Sequence, residues 1–204
     1  MELLKKLMVI HGEKLKMSNI FLCSDWHFNH SKPFIYEARG FSSIEEMNEA
    51  IIRNHNSIIK KEDVVFCLGD CCLSEKILEN KNLIETLNGK IHIIRGNHCS
   101  EKRKEMYKSC KNVVEVVDGK FFNYRKYHFF LSHYLTIVGN NDAEKPLKAQ
   151  VINLYGHTHT KDPFEFFDAT HINYNVGMDA HDCCPVNIET ILNDINERKQ
   201  NVRH

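Results

Sequence analysis

Eight residues of metal-ligand type stand at five places in the chain: Asp25 and His27 in "CSDWH", Asp70 in "LGD", Asn97 and His98 in "RGNH", His133 in "LSH", and His157 and His159 in "YGHTH". They comprise two carboxylates, one amide and five imidazoles, with no thiolate. Such nitrogen and oxygen donors suit Mn, Fe(II), Zn or Ni at a hydrolytic centre better than a structural zinc. One ion needs three or four protein ligands, whereas seven or eight candidates are enough for two ions sharing a carboxylate bridge. A pair roughly 3.5 to 4 Å apart lowers the pKa of bound water toward about 7 and clamps phosphoryl oxygens during in-line attack. Each element alone has an ordinary reading: an Asp in a turn, an Asn-His in a loop, a histidine satisfied in the core. In a chain with 13 histidines, His-x-His arises roughly once by chance. The weight lies in all five occurring together.

The elements that must position these residues share one pattern. The runs "NIFLCSD", "DVVFCLGD", "KIHIIRGNH", "YHFFLSH" and "VINLYGHTH" are each apolar and strand-like, and each ends in the donor residues. In an extended segment alternate side chains point the same way, so His157 and His159 can face one point. Gly69, Gly96 and Gly156 would let the backbone turn where the strands end. Two helical patterns separate the first three runs. "SSIEEMNEAIIRNHNSIIK" opens with a capping box and carries Ile44, Met47, Ile51, Ile52 and Ile58. "LSEKILENKNLIETLNG" has Ser74 as N-cap and Gly89 as stop. This alternation predicts right-handed crossovers and a largely parallel beginning to the sheet. After residue 111, "NVVEVVDGKFFNYRKYHFFLSH" holds three β-rich runs with Asp118-Gly119 as a hairpin signal, so a more antiparallel second half is expected. "VNIETILNDINERK" supplies a closing helix. Ligands of open α/β sheets bind at the carboxyl ends of the strands, where all eight donors fall.

Composition bounds the rest. At 204 residues, 42% apolar and 26% charged, the sequence fits one compact domain over residues 18–204. Lys+Arg and Asp+Glu both total 27, so the basic excess that duplex nucleic acid binding draws on is absent, and duplex is not an expected partner. Of eight cysteines, Cys23 and Cys67 lie inside apolar runs, while Cys71-Cys72 and Cys183-Cys184 are vicinal pairs. That order predicts reduced thiols in a cytoplasmic protein rather than a disulfide framework. Residues 1–17 form a lead-in, helical or dispensable, whose apolar run is too short for a signal or membrane span. No membrane partner is expected.

The ordered series D-x-H, G-D, G-N-H, H and G-H-x-H over residues 25–159 resembles the calcineurin-like metallophosphoesterases. The words "SDWHFNHSKPF", "LNGKIHIIRGNH", "LSHY" and "NVGMDAHDCCPV" are similar to a short single-domain branch of bacteria and their phages. The resemblance implies an α/β fold, a four-layer α/β/β/α sandwich with mixed sheets. It implies two divalent metal ions, of Mn, Fe, Zn or Ni type. Asp25, His27 and His159 would hold one, Asn97, His133 and His157 the other, and Asp70 would bridge them. His98 would be the catalytic acid that protonates the leaving oxygen or steadies the phosphoryl oxygens. The reaction implied is hydrolysis of a phosphoester by a metal-activated water, with a small nucleotide-like phosphodiester as the expected substrate. The alternatives are a phosphomonoesterase, a nuclease, or a metal-poor protein-binding scaffold; scaffold members typically lack His98 or part of the ligand set, and this chain keeps all eight. It departs from the pattern at Cys99, where an acidic residue is common, at Asn29 in place of Gly, and at Leu135 in place of Pro.

Further residues carry weaker readings. Asn29, His30, Arg39 and Arg95 are candidates for substrate binding, the arginines through bidentate phosphate contacts. Asn175 and Asp179 are expected to return beside the site in a supporting or turn role. His55, His92 and His128 read as structural, and His181 takes either reading.

Overall fold

The computed structural model describes residues 18–136, 151–166 and 172–202; the lead-in over 1–17 and residues 137–150, 167–171 and 203–204 lie outside them. The elements are β1 (Ile20–Cys23), α1 (Pro33–Tyr36), α2 (Ile44–Ile58), β2 (Val64–Cys67), α3 (Ile77–Thr86), β3 (Lys90–Ile94), α4 (Glu101–Lys108), β4 (Val113–Val117), β5 (Lys120–Tyr124), β6 (Tyr127–Leu131), β7 (Val151–Tyr155), β8 (Ile172–Asn175), a 3-10 turn (Met178–Ala180), β9 (Val186–Asn187) and α5 (Ile188–Val202). They build two mixed sheets, ordered β4-β3-β2-β1-β9 and β5-β6-β7-β8. In the first, β1 to β4 are parallel and β9 runs against β1. In the second, β6, β7 and β8 are parallel and β5 is antiparallel.

Strands β1 and β2 are apolar throughout because both of their faces are covered. Phe21 and Cys23 of β1, with Val65, Cys67, Ile91 and Ile93, pack under Met47 and Ile51 of α2, Ile84 of α3 and Met106 of α4. The opposite faces supply Leu22, Phe66 and Ile94 to a second core. There they meet Phe129, Leu131, Ile152, Leu154 and Tyr174 of the other sheet and Ile191, Leu192 and Ile195 of α5. Each such aliphatic chain contributes about 1.5–3 kcal/mol on burial. This is the expected α/β sandwich with two mixed sheets. Register then levels the strand ends: Cys23 stands opposite Cys67, Cys67 opposite Ile93, and Leu131 opposite Leu154. The loops bearing the donors therefore begin side by side.

Local signals held at α2, where the Ser43 hydroxyl accepts from Glu46 N–H at 3.1 Å. They failed elsewhere. Ser74 does not cap α3, which begins at Ile77 after Lys76; its hydroxyl instead accepts from Lys76 N–H in the preceding turn. Helix α4 is absent from the sequence-based reading because "EKRKEMYK" offers few apolar positions, yet it forms the crossover that makes β4 parallel to β3. Asp118-Gly119 consequently joins the two sheets and does not close a hairpin. The hairpin turn is Arg125-Lys126, between paired Tyr124 and Tyr127, with Arg125 at φ 53°. The second half is more parallel than expected for the same reason: β6, β7 and β8 are each separated by long connections rather than tight turns.

His55 is a buried histidine of α2 whose Nε2–H donates to Asn88 O at 2.8 Å, and whose Nδ1 has no partner. Burial pushes the imidazole down to about 4 from 6.5, against the pull of the Asn88 carbonyl. The unfolded chain therefore binds this proton first. The stabilisation is fully present above pH 6.5 and is lost as pH falls through the window to 4. At pH 5 the loss is about 2 kcal/mol. Urea unfolding at pH 7.5 and 5.0 is expected to show that much more destabilisation in the parent than in His55→Gln; equal losses would rule the assignment out.

Candidate metal centre

Beyond the strand ends, the loops continue to pair. Asp25 N–H donates to Gly69 O at 3.1 Å, His27 N–H to Asp70 O at 3.0 Å, and Phe28 N–H to Cys71 O at 2.9 Å. Gly156 N–H donates to His133 O at 3.0 Å, joining the two loops of the second sheet. The backbone in these loops is left-handed at six non-glycine positions: Asp25, His27, Asn29, Asp70, His157 and His159, out of nine such residues described. The convergence of Asp25 with His27, and of the two histidines of "GHTH", therefore arises from alternating left-handed residues. It is not the face alternation of an extended strand. Each costs on the order of 1–3 kcal/mol and persists only where the surroundings dictate it.

The two carboxylates are built alike. Asp25 Oδ2 accepts His157 N–H at 2.8 Å, and Asp70 Oδ1 accepts His98 N–H at 3.0 Å. Each is thus pinned by a backbone amide through one oxygen while the other faces inward. Asp25 Oδ1 is buried without a hydrogen-bond partner and lies 3.6 Å from His27 Nε2. Asp70 Oδ2 lies 3.4 Å from His133 Nε2 and 3.9 Å from both His27 Nε2 and His98 Nε2. Burial pushes both carboxyls up, but the neighbouring imidazoles of His27, His133 and His159 outweigh it and hold Asp25 down at about 2. For Asp70, His133 outweighs burial and lowers the carboxyl from its ordinary value.

The imidazoles are oriented with lone pairs inward. His133 Nδ1–H donates to Leu68 O at 2.8 Å, leaving Nε2 to face Asn97 Oδ1 at 2.9 Å and His157 Nδ1 at 3.2 Å. His159 Nδ1–H donates to Asp179 Oδ2 at 2.8 Å, and the His159 and His27 rings lie 4.8 Å apart. Both ring nitrogens of His27 are buried without a partner. Donor atoms of Asp25, His27 and His159 lie within 4.8 Å of one another, as do those of Asp25, Asp70 and His133. Unpartnered anionic oxygens and imidazole lone pairs aimed at one another are what a cation would satisfy, so the residues fit a divalent metal.

Only Gly69, at φ 107°, answers the expected turn. Gly96 and Gly156 have a different role: a Cβ on Gly96 would overlap the Asp70 carboxylate, and one on Gly156 the Ser24 hydroxyl and the Asp25 carboxylate. Their missing side chains make room for the donors.

The four substrate candidates separate. Arg39 is corrected: its side chain is 2% exposed and its guanidinium is fully engaged. Nε and Nη2 grip Asp179 at 3.0 and 2.8 Å, Nη2 also donates to Asp25 O, and Nη1 donates to Trp26 O and Met47 Sδ. No donor is left for a phosphate. Asn29 accepts from Asn48 of α2 and donates to Asn80 of α3, which uses its amide oxygen and one of its two N–H donors. Arg95 is held by Glu101 and Asp118 and by Cys99 O. His30 stays at the site, its ring 5.3 Å from that of His27. His98, with 47% of its side chain exposed, stands at the mouth, 6.0 Å from the His27 ring. At the Cys99 departure, burial pushes the thiol up and His98 gains no acidic neighbour from that position.

Asp179 has the supporting place expected of it, linking His159 to Arg39. Asn175 accepts Gly177 N–H and donates toward Thr158 and Thr160. His92 pairs with Glu115, His128 with Asn123, and His181 with Asn175 O, all away from the donor cluster. Sequence reasoning missed Tyr134, whose ring lies 5.1 Å from His133 and 5.0 Å from His157. It also missed the Leu68 carbonyl that orients His133, which no side-chain pattern signals. All eight cysteines are free thiols. Among the described residues no helix is long and apolar enough to cross a membrane.

The chain is similar to known proteins. A protein of Methanocaldococcus jannaschii designated MJ1445 is 34% identical over 188 residues, covering 91% of this chain and 96% of its own. The crystal structure of a protein of unknown function from Aquifex aeolicus, AQ665, superposes with a TM-score of 0.65 at 19% identity, over 86% of this chain and 98% of that one; it shows the fold. The calcineurin-like phosphoesterase superfamily domain matches residues 17–174, which include all eight donor positions. This chain belongs to that superfamily and is a metal-dependent hydrolase of phosphoric esters.

Proposed function

We propose that the chain hydrolyses a small nucleotide-like phosphodiester at a dinuclear centre. Asp25, His27 and His159 would hold one divalent ion, and Asn97, His133 and His157 the other. Asp70 would be shared. The observation that carries this reading is the inward pair of buried atoms with no hydrogen-bond partner, Asp25 Oδ1 and His27 Nε2, beside Asp70 Oδ2. Divalent ions of the Mn, Fe, Zn or Ni type supply a nucleophilic water at neutral pH and charge neutralisation of phosphoryl oxygens.

The chain's own residues do the rest. Backbone amides of His98 and His157 fix the two carboxylates, so their inward oxygens are set before substrate arrives. Asp179 and Leu68 O hold the Nδ1 protons of His159 and His133, which leaves each Nε2 as a donor of its lone pair. His98, next to the donor cluster yet half-exposed, gives its proton to the departing alkoxide. The neutral net charge supports a short substrate over a long duplex.

The test is steady-state hydrolysis with Mn²⁺ and with chelator, comparing parent and His98→Ala. A dinucleoside monophosphate has an alkoxide leaving group; bis-p-nitrophenyl phosphate releases a phenolate that needs little protonation. The variant is expected to lose about 10²- to 10⁴-fold in kcat on the first and much less on the second, with metal content unchanged. Equal losses on both would remove the acid role from His98. No metal-dependent turnover of any diester or of p-nitrophenyl phosphate would sink the enzymatic reading and favour a scaffold.

A further inference from the structure

A polar donor cluster gains nothing by itself from apolar rings exposed beside it, yet two stand there. Phe34 on α1 is 65% exposed and Tyr134 is 47% exposed, two of the seven exposed large hydrophobic side chains described. They flank different parts of the cluster. Phe34 packs edge-on to His30 at 5.4 Å, and His30 edge-on to His27 at 5.3 Å. Tyr134 packs against His133 and His157 at 5.1 and 5.0 Å. His27 and His133 both reach toward Asp70 Oδ2, at 3.9 and 3.4 Å. A row of rings thus runs from Phe34 through His30 and His27 to the shared carboxylate, and from there through His133 to Tyr134.

We infer that Phe34 and Tyr134 are stacking platforms for the two nucleobases on either side of the scissile phosphodiester, so that the substrate class is a dinucleotide unit. This rests on the reading that the phosphoryl group sits at the donor cluster. Base-on-ring stacking is tolerant of base identity, because every base presents a π-face. Phe34 has no polar atom with which to choose among bases, so recognition is of an aryl group rather than of a sequence. A cyclic mononucleotide or a sugar phosphate would occupy at most one platform. The balanced charge of the chain offers little to the further phosphates of a long strand, which favours a free dinucleotide or a strand's terminal pair.

The experiment compares kcat/KM, with Mn²⁺, for a dinucleoside monophosphate and for the same diester lacking both bases. A base-bearing to abasic ratio well above ten is expected of the parent. In Phe34→Leu and in Tyr134→Leu that ratio should fall by about 5- to 100-fold each, through KM. Tyr134→Phe, which keeps the ring, should preserve it. Binding is read separately by quenching of a 2-aminopurine dinucleoside monophosphate on Mn²⁺-loaded His98→Ala, with loss of quenching in the added Leu variants. Equal rates on base-bearing and abasic diesters, or a ratio unmoved by either Leu variant, would overturn the inference while leaving the phosphodiesterase reading intact. Absence of turnover on every ester would instead fail the reading beneath it. A tetranucleotide arm distinguishes the sources: cleavage at the terminal linkage alone points to strand ends, and preference for the dimer to free dinucleotides.

Discussion

Asp70→Asn is expected to lower metal-dependent turnover by at least about 10³-fold while changing the stability of the metal-free protein far less. Asn retains a carbonyl oxygen where Oδ1 accepts His98 N–H, so the loop keeps its anchor. Its amide nitrogen would stand where Oδ2 now faces His133, His27 and His98. A negative charge is thereby replaced by a donor at the atom proposed to be shared between two dications, and several kcal/mol of charge stabilisation goes with it. In the metal-free protein the change is smaller, because the amide N–H finds acceptors among the inward imidazole nitrogens while the attraction between the carboxylate and His133 is lost. The measurement pairs kcat with bound metal per chain, and thermal unfolding with and without Mn²⁺. Parent stability should rise with metal by mass action, about 2.7 kcal/mol at a hundred times Kd. The variant should show little rise. Full turnover with two ions still bound would remove Asp70 from the bridging position.

What could be read in the sequence was the donor set. Asp25, His27, Asp70, Asn97, His98, His133, His157 and His159 each follow an apolar run, and parallel strands with level ends bring such positions together. The supports were less legible, because burial is a property of the assembled fold. Arg39 looks like a phosphate contact until α2 and the turn at Asp179 enclose it. The hold that Asn48 and Asn80 take on Asn29 from two helices is likewise invisible in the sequence. Asp118-Gly119 carries the local signal of a hairpin, and the crossover through α4 overrode it by committing Val113–Val117 to the first sheet.

The backbone explanation for D-x-H and G-H-x-H also lay beyond the sequence. Extended geometry would have aimed alternate side chains the same way, but left-handed residues at 25, 27, 157 and 159 do so instead. The strain is sustained by the hydrogen-bond ladder between the 24–28 and 69–73 loops and by close packing at Gly96 and Gly156. Stability is thus invested in a strained backbone that leaves buried donor atoms without hydrogen-bond partners, which is the usual mark of a site kept for function.

Asp179→Ala is expected to cost about 3–5 kcal/mol of stability and to weaken metal binding about 10- to 100-fold. Two separate debts arise from one carboxylate. Arg39, 2% exposed, would keep its charge without the only acid that pairs with it among the described residues. His159 would lose the acceptor of its Nδ1–H and with it the tautomer and ring orientation that present Nε2 to Asp25 and His27. Asp179→Asn separates them in part, since one amide oxygen can still accept from His159 while the charge on Arg39 is unmatched. The decisive comparison is Arg39→Met with Asp179→Leu in one chain. Removing both charges together should restore most of the stability measured by urea unfolding, because an apolar pair of similar volume replaces a buried ion pair at little net cost. It should not restore metal affinity measured by calorimetric titration, because His159 still lacks its acceptor. Recovery of both together would mean that Asp179 acts only through Arg39 and the fold; recovery of stability alone would assign it a direct hold on His159.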